Sequence, residues 1–166
     1  MASRVPAPQL WISAVIVVAD QATKVLVRSA FELHQGSSII PGFFDLTRVH
    51  NAGAAFGMMN GMDFPFKTVI LALIATVALA GLAMYAAVLP AGQRLARCGL
   101  ALIVGGAAGN LIDRIRYGYV VDFVDLYWRD WHFWASNVAD AAITVGVALM
   151  ILDLMGIGRH RVPRAV

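Results

Sequence analysis

The stretch Val69–Leu89, VILALIATVALAGLAMYAAVL, decides the class of this protein. It lies in a run from 68 to 93 that holds no Asp, Glu, Lys or Arg, bounded by Lys67 and Arg94, and Pro90 and Gly92 close it. A bilayer core of about 30 Å takes roughly 20 apolar residues in a helix. This stretch therefore reads as a membrane span. Outward from it, three more appear. One is apolar from Leu95 to Ile112 and closes at Asp113-Arg114; another runs from Asp140 to Leu154, followed by Gly156 and Gly158; a fourth, near the N-terminus, contains Asp20 and Lys24. The expected spans are about 10–29, 68–89, 95–113 and 140–155, in a single membrane-embedded domain covering 1–166.

Composition agrees. Hydrophobic residues make up 60% and charged residues 14%, against about 45–50% and 25% in soluble domains. Mean hydropathy is +0.72. A soluble globule of 166 residues could not hide this much apolar surface in one core. Disorder, collagen, coiled coil and disulfide scaffold are excluded as well. The one cysteine, Cys98, has no partner for an intrachain disulfide and reads as a small apolar residue. The sequence pI near 9.4 does not point to nucleic acid, because the basic residues sit in short clusters beside apolar runs, as topology signals do.

Arg4 and the run Leu10–Ala19 imitate a cleaved signal peptide. However, Asp20, Lys24 and Arg28 follow at helical spacing with no small-x-small cleavage site, so an uncleaved helix is expected. Arg4, the pair Arg94 and Arg97, and the set Arg159, Arg161 and Arg164 occupy segments without acidic residues. The positive-inside rule then puts both termini in the cytoplasm. The two mixed-charge loops, one with Glu32, Asp45, Arg48 and Asp63 and the other with Arg116, Asp122, Asp125, Arg129 and Asp130, face outside. Residues 117–134 hold eight of the sixteen aromatics, a density that suits the headgroup layer. Ile39–Val49 reads as a turn followed by a β-prone stretch. The expected fold is an all-α integral membrane protein with four transmembrane helices and a small extracytoplasmic subregion that is β-rich and aromatic.

Ionisable groups in membrane spans are costly and point to function by default. In this topology Asp20 and Lys24 share one face in the outer half of the first span. Asn110, Asp113 and Arg114 come at the outer end of the third, and Asn137 and Asp140 at the outer start of the fourth. Asp122 lies in the loop between them. Four segments thus send polar groups to one membrane surface. Plainer readings stand beside this one. Asp20 and Lys24 can be a structural ion pair. Asp140, after Ser136 and Asn137, can cap a helix. Gly105 and Gly109 have the spacing of close helix packing. Asn51-Ala52-Gly53-Ala54-Ala55-Phe56-Gly57 can be a turn or a surface for an extended peptide. Arg114 and Arg116 can be interface anchors.

Elimination narrows the chemistry. His34, His50, His132 and His160 are scattered, with no His-Glu-x-x-His. There is no Gly-x-Ser-x-Gly elbow and no phosphate loop. Lys24 could pair with Ser29 or Ser136, but Asp20 at helical distance keeps the lysine charged and a poor base. Aspartate remains. Two aspartates brought close share one proton, so that one can activate water while the other donates to a carbonyl oxygen. Asp113, Asp122 and Asp140 are the candidates. Arg114 and Arg116 favour the charged form of Asp113, whereas Asp122 and Asp140 have no basic neighbour within five residues.

The chain resembles the lipoprotein signal peptidases, also called signal peptidase II. The resemblance rests on Asp20-Gln21-Ala22-Thr23-Lys24, Asn51-Ala52-Gly53-Ala54-Ala55-Phe56 and Gly105-Gly106-Ala107-Ala108-Gly109-Asn110-Leu111-Ile112-Asp113-Arg114. It continues in Val120-Val121-Asp122-Phe123 and Asn137-Val138-Ala139-Asp140, in the family's order and on its topology. It implies an aspartic endopeptidase of the bacterial inner membrane that cuts prolipoproteins just before a diacylglyceryl-modified cysteine. By motif position Asp122 and Asp140 are the catalytic pair. Asn51, Gly53, Asn110, Asp113, Arg114 and Asn137 form the substrate-binding or polar shell, and Asp20 and Lys24 a structural pair. No metal or cofactor is implied. The implied partners are prolipoprotein substrates and membrane lipids, with no nucleic acid, and the protein is expected to be a monomer. Where the family commonly has Phe before the Asn of Asn-x-Ala-Asp, this chain has Ser136. A proton-relaying carrier built on Asp20 and Lys24, and an assembly factor using the Gly105–Gly109 face, are the competing classes. Four spans are few for a carrier, and its acidic groups would have to bridge two surfaces.

Overall fold

The apolar runs form helices α1 (Ala7–Ala30), α2 (Lys67–Val88), α3 (Arg94–Tyr117) and α4 (Val138–Leu154). The structure, a computed structural model, describes residues 7–53, 65–90, 92–129 and 131–157. Arg4, Ala54–Gly57, Asp63, Asp130, Gly158, Arg159, His160, Arg161 and Arg164 lie outside the described residues.

Two helix ends differ from the sequence-based expectation. α3 continues a full turn past residue 113, because nothing in Arg114–Tyr117 breaks a helix. It stops at Gly118, whose φ of 81° is the left-handed conformation that costs glycine least, with its N–H on the Arg114 carbonyl. α4 starts at Val138, before Asp140. Its cap is Asn137, whose side chain accepts from the Asp140 N–H at 3.0 Å. Asp140 is therefore not the cap, and its carboxylate is left for other partners.

α1, α2 and α3 are long and apolar enough to cross a membrane. α4, with 17 residues, spans about 25 Å. α3 is the central helix, packed against the other three. Its glycines permit this. A Cβ on Gly105 would stand 2.9 Å from the Ser13 carbonyl of α1, one on Gly109 2.6 Å from an Asp20 oxygen, and one on Gly106 would overlap the Ala139 carbonyl of α4. Ser13 Oγ donates to the Ala101 carbonyl at 2.7 Å, which ties α1 to α3. One helical turn away, Arg97 donates to the Leu89 carbonyl at 2.9 Å and to Gln9 at 3.2 Å. α2 turns Leu73, Val77 and Met84 outward, a surface suited to lipid.

The rest is one antiparallel sheet in the order β1 (Gly36–Ile40), β2 (Phe44–Asn51), β3 (Val120–Trp128) and β4 (Trp131–His132). β2 lies in the β-prone stretch. β3 and β4 lie in the aromatic loop. The β2–β3 register pairs Val49 with Asp122 and Asn51 with Val120. Side chains alternate across a strand, so Asn51 and Asp122 share one sheet face.

Candidate active site

Asp122 is carried by β3 and Asp140 by the first turn of α4. Three asparagines hold them. Asn137 Nδ2 donates to Asp122 Oδ1 at 2.7 Å, and Asn51 Nδ2 donates to Asp122 Oδ2 at 3.0 Å. Asn110 Nδ2 donates to Asp140 Oδ1 at 2.8 Å. The amides are themselves fixed. Asn51 Oδ1 accepts from the Gly53 N–H at 2.9 Å, Asn137 Oδ1 from the Asp140 N–H, and Asn110 Oδ1 from Lys24 Nζ at 2.9 Å. Each carboxylate thus meets an N–H whose direction a further bond dictates.

Asp122 is 2% exposed. Burial, and next the negative charge of Asp140, push its carboxyl up to about 7, against the pull of the Asn51 and Asn137 amides and the charge of Lys24. Such a group is about half protonated at neutral pH, so it can both hold a proton and give it up. Both aspartates line a groove of about 760 Å³ that also meets Asn51, Asn110, Arg114 and Ser136. Its helix side is apolar, with Ala75 and Ala78 of α2 and Ile143 and Val145 of α4, while Phe133 and Trp134 wall the sheet side. Arg114 reaches the Gly53 carbonyl at 3.2 Å and its own helix at the Asn110 carbonyl, 3.4 Å away. Asn51, Gly53, Asn110, Arg114 and Asn137 therefore gather around Asp122 and Asp140.

Asp113 goes elsewhere. It joins Asp20 and Lys24 in a cluster with no exposed side chain: Lys24 Nζ lies 2.9 Å from Asp20 Oδ2 and 3.0 Å from Asp113 Oδ2. The sequence places Asp113 in the polar shell, and in the structure it sits one layer behind the groove, accepting from the Val121 N–H at 3.1 Å and so pinning β3 one residue before Asp122. Asp20 does the same for α4, accepting from the Ala139 N–H at 3.0 Å, one residue before Asp140. Gln21 stands in the first motif of the resemblance, but the sequence reading assigns it no role. Its Nε2 bridges Asp113 at 3.0 Å, Asp20 at 3.2 Å and the Gly109 carbonyl at 3.2 Å. The available signal was its position three residues before Lys24, hence on the same face. Ser136 pairs through its backbone, accepting at 2.8 Å from Val124 and donating back at 2.9 Å, so this bridge does not depend on its side chain. Among the described residues no three His, Cys, Asp or Glu side chains gather as a metal site needs.

The chain is similar to known proteins over most of its length. The sequence profile of the signal peptidase (SPase) II family matches residues 12–156. The lipoprotein signal peptidase of Geobacter metallireducens is 46% identical over 144 residues, covering 87% of this chain and 88% of its own. That of Symbiobacterium thermophilum is 47% identical over 148 residues, covering 89% and 94%. Among solved structures, a bacterial membrane enzyme determined by the in meso method superposes with a TM-score of 0.81 at 28% identity, covering 96% of this chain and 94% of that one.

Proposed function

This chain belongs to the signal peptidase II family, and on that premise we propose that Asp122 and Asp140 are the catalytic pair with which it cuts. The enzyme is an aspartic-type membrane peptidase, and its family removes signal peptides from prolipoproteins. The observation that carries the proposal is two carboxyl groups in one groove, each held by amides aimed at its oxygens. Asp122, raised to about 7, brings the proton; Asp140 takes one from water. The water oxygen attacks the scissile carbonyl carbon while Asp122 protonates the carbonyl oxygen. Collapse of the tetrahedral intermediate returns a proton to the departing amine, which belongs to the diacylglyceryl-modified cysteine. The apolar helix side of the groove takes the acyl chains and the sheet side the peptide. Ser136, smaller than phenylalanine, leaves room at the groove wall.

In this reading α4 is the fourth span, both termini are cytoplasmic, the sheet lies on the outer surface of the bacterial inner membrane, and a monomer suffices. The basic residues flanking the spans and the gathering of Asp122, Asp140 and their asparagines at one end of the bundle support it. The test is incubation of the purified protein in detergent with a diacylglyceryl-modified prolipoprotein peptide, reading the mass of the products. Cleavage before the lipidated cysteine is expected, and none by Asp122→Asn or Asp140→Asn, which keep shape but cannot share a proton. Near-normal turnover by either variant removes that residue from the mechanism.

A further inference from the structure

A second polar cluster lies on the other face of the sheet. Arg48 and His50 alternate with Val49 and Asn51 along β2, so they turn away from the groove that Asn51 lines. They meet the last turn of α1, which carries Arg28, and the end of α3 with the residues that follow it, which carry Tyr117 and Tyr119. Arg28 lies over the Tyr117 ring, its guanidinium carbon 4.3 Å from the centroid. His50 stacks on Tyr119 at 3.7 Å. Arg48 Nη1 caps α1, donating to the Phe31 carbonyl at 3.0 Å and the Arg28 carbonyl at 3.3 Å, and its Nη2 approaches His50 Nε2 at 3.4 Å.

Two features are unexplained by this packing. Neither arginine forms an ion pair among the described residues. And Arg28 Nη1 and Arg48 Nε, both shielded from solvent, have no acceptor among the described residues. Buried guanidinium donors ordinarily find one, and an uncompensated pair of cations is costly. The local field is positive enough to act on His50: burial, then the charges of Arg48, His34 and Arg28, hold its imidazole below the ordinary value.

We propose that Arg28, Arg48 and His50 form a site for the phosphate of an anionic phospholipid, separate from the catalytic groove. Arginine suits a phosphate because its planar fork presents parallel donors. The lipid source is argued from position. Arg28 is in the last turn of a membrane-crossing helix, at headgroup depth, and one turn back Val25 and Leu26 are 54% and 65% exposed, a path for acyl chains beside the helix. A bound phosphodiester, with its single negative charge, offsets part of the charge of the arginine pair and supplies acceptors to both, tying α1, β2 and the end of α3 together just behind the strand that presents Asn51.

The test reads binding and not proteolysis, so its failure and that of the catalytic proposal are separate. Full-length protein in a neutral-headgroup detergent is titrated with dioctanoyl phosphatidylglycerol, with dioctanoylglycerol as the same chains without phosphate, and with inorganic phosphate. Binding is followed by native mass spectrometry. Saturable binding of the phosphatidylglycerol is expected, weakened about tenfold or more by Arg28→Gln and less by Arg28→Lys, as for loss of a charge-assisted bond. Equal affinities of wild type and Arg28→Gln, or of the two lipids, overturn the site. Inorganic phosphate binding as tightly as the lipid overturns the lipid assignment. Should Arg28→Gln not fold, the wild type still decides: His50 must titrate higher with phosphatidylglycerol bound than with dioctanoylglycerol, and an unchanged midpoint overturns the proposal.

Discussion

Replacing Lys24 by methionine keeps most of the side-chain volume and removes the charge. In the wild type all three ammonium protons are used, on Asp20, Asp113 and Asn110, and none of the ion-pair side chains is exposed. The variant leaves two carboxylates without their shared cation. Each keeps a backbone donor, from Ala139 and Val121, and both keep Gln21. Breaking a buried pair from one side typically costs about 3–5 kcal/mol. For a chain of this size each kcal/mol moves the midpoint by about 2–4 °C, so a drop of about 6–20 °C in Tm is expected. Adding Asp113→Asn restores the net charge of the cluster and is expected to recover a large part of the loss. Activity per folded molecule is expected to change little. Asn110 keeps its orientation through a second donor, Asn137 Nδ2 at 3.3 Å, and so still presents Nδ2 to Asp140. The assay is thermal unfolding in detergent followed by tryptophan fluorescence, with cleavage measured on the folded fraction. A variant as stable as wild type yet inactive would show that Lys24 belongs to the chemistry and that the supporting role assigned here is wrong.

Three further outcomes follow from the geometry. The Asp122 carboxyl stands at about 7 against an ordinary 3.8, so the folded state holds a proton the unfolded chain has lost between those values. Its contribution to stability is therefore complete below the lower value and disappears as pH rises through the upper one. kcat/KM is expected to fall over the same rise, as the pair loses its shared proton, and a profile flat through neutrality would contradict this. A peptide with an unmodified cysteine should be cut very slowly even at high concentration, since two acyl chains anchor it and positioning can lower a barrier by roughly 7–11 kcal/mol at best; equal rates for the modified and unmodified peptides would show that the lipid does not matter. Gly106→Ala drives a methyl into the Ala139 carbonyl, and overpacking of this kind costs about 1–3 kcal/mol, so a lower Tm and yield are expected, checked by the same unfolding assay.

The helices were legible because hydrophobic length is a local property: a charge-free run either suffices to cross a bilayer or does not, and Val69–Leu89 does. Their ends were less so. Asp140 could be read as a cap from its position, and only the folded backbone shows that Asn137 is the cap and that Asp140 is released from that role. The glycine spacing at Gly105 and Gly109 announced close packing but not the partners, which are α1 for these two and α4 for Gly106.

The class of molecule, the aspartates on offer for chemistry and the family motifs could all be read along the chain. This is so because composition, run length and the absence of nearby basic residues all lie along one dimension. What each polar group touches depends on the folded arrangement of helices and strands. Asn51 reaches Asp122 across 71 positions because a strand register pairs β2 with β3, and a shift of one residue would turn Asn51 to the opposite face. Asp113 seemed to belong with Arg114 and Arg116, its neighbours in sequence. Folding gave it to Lys24 instead, because successive helix positions point in different directions and the buried lysine of α1 needs counter-charges from α3.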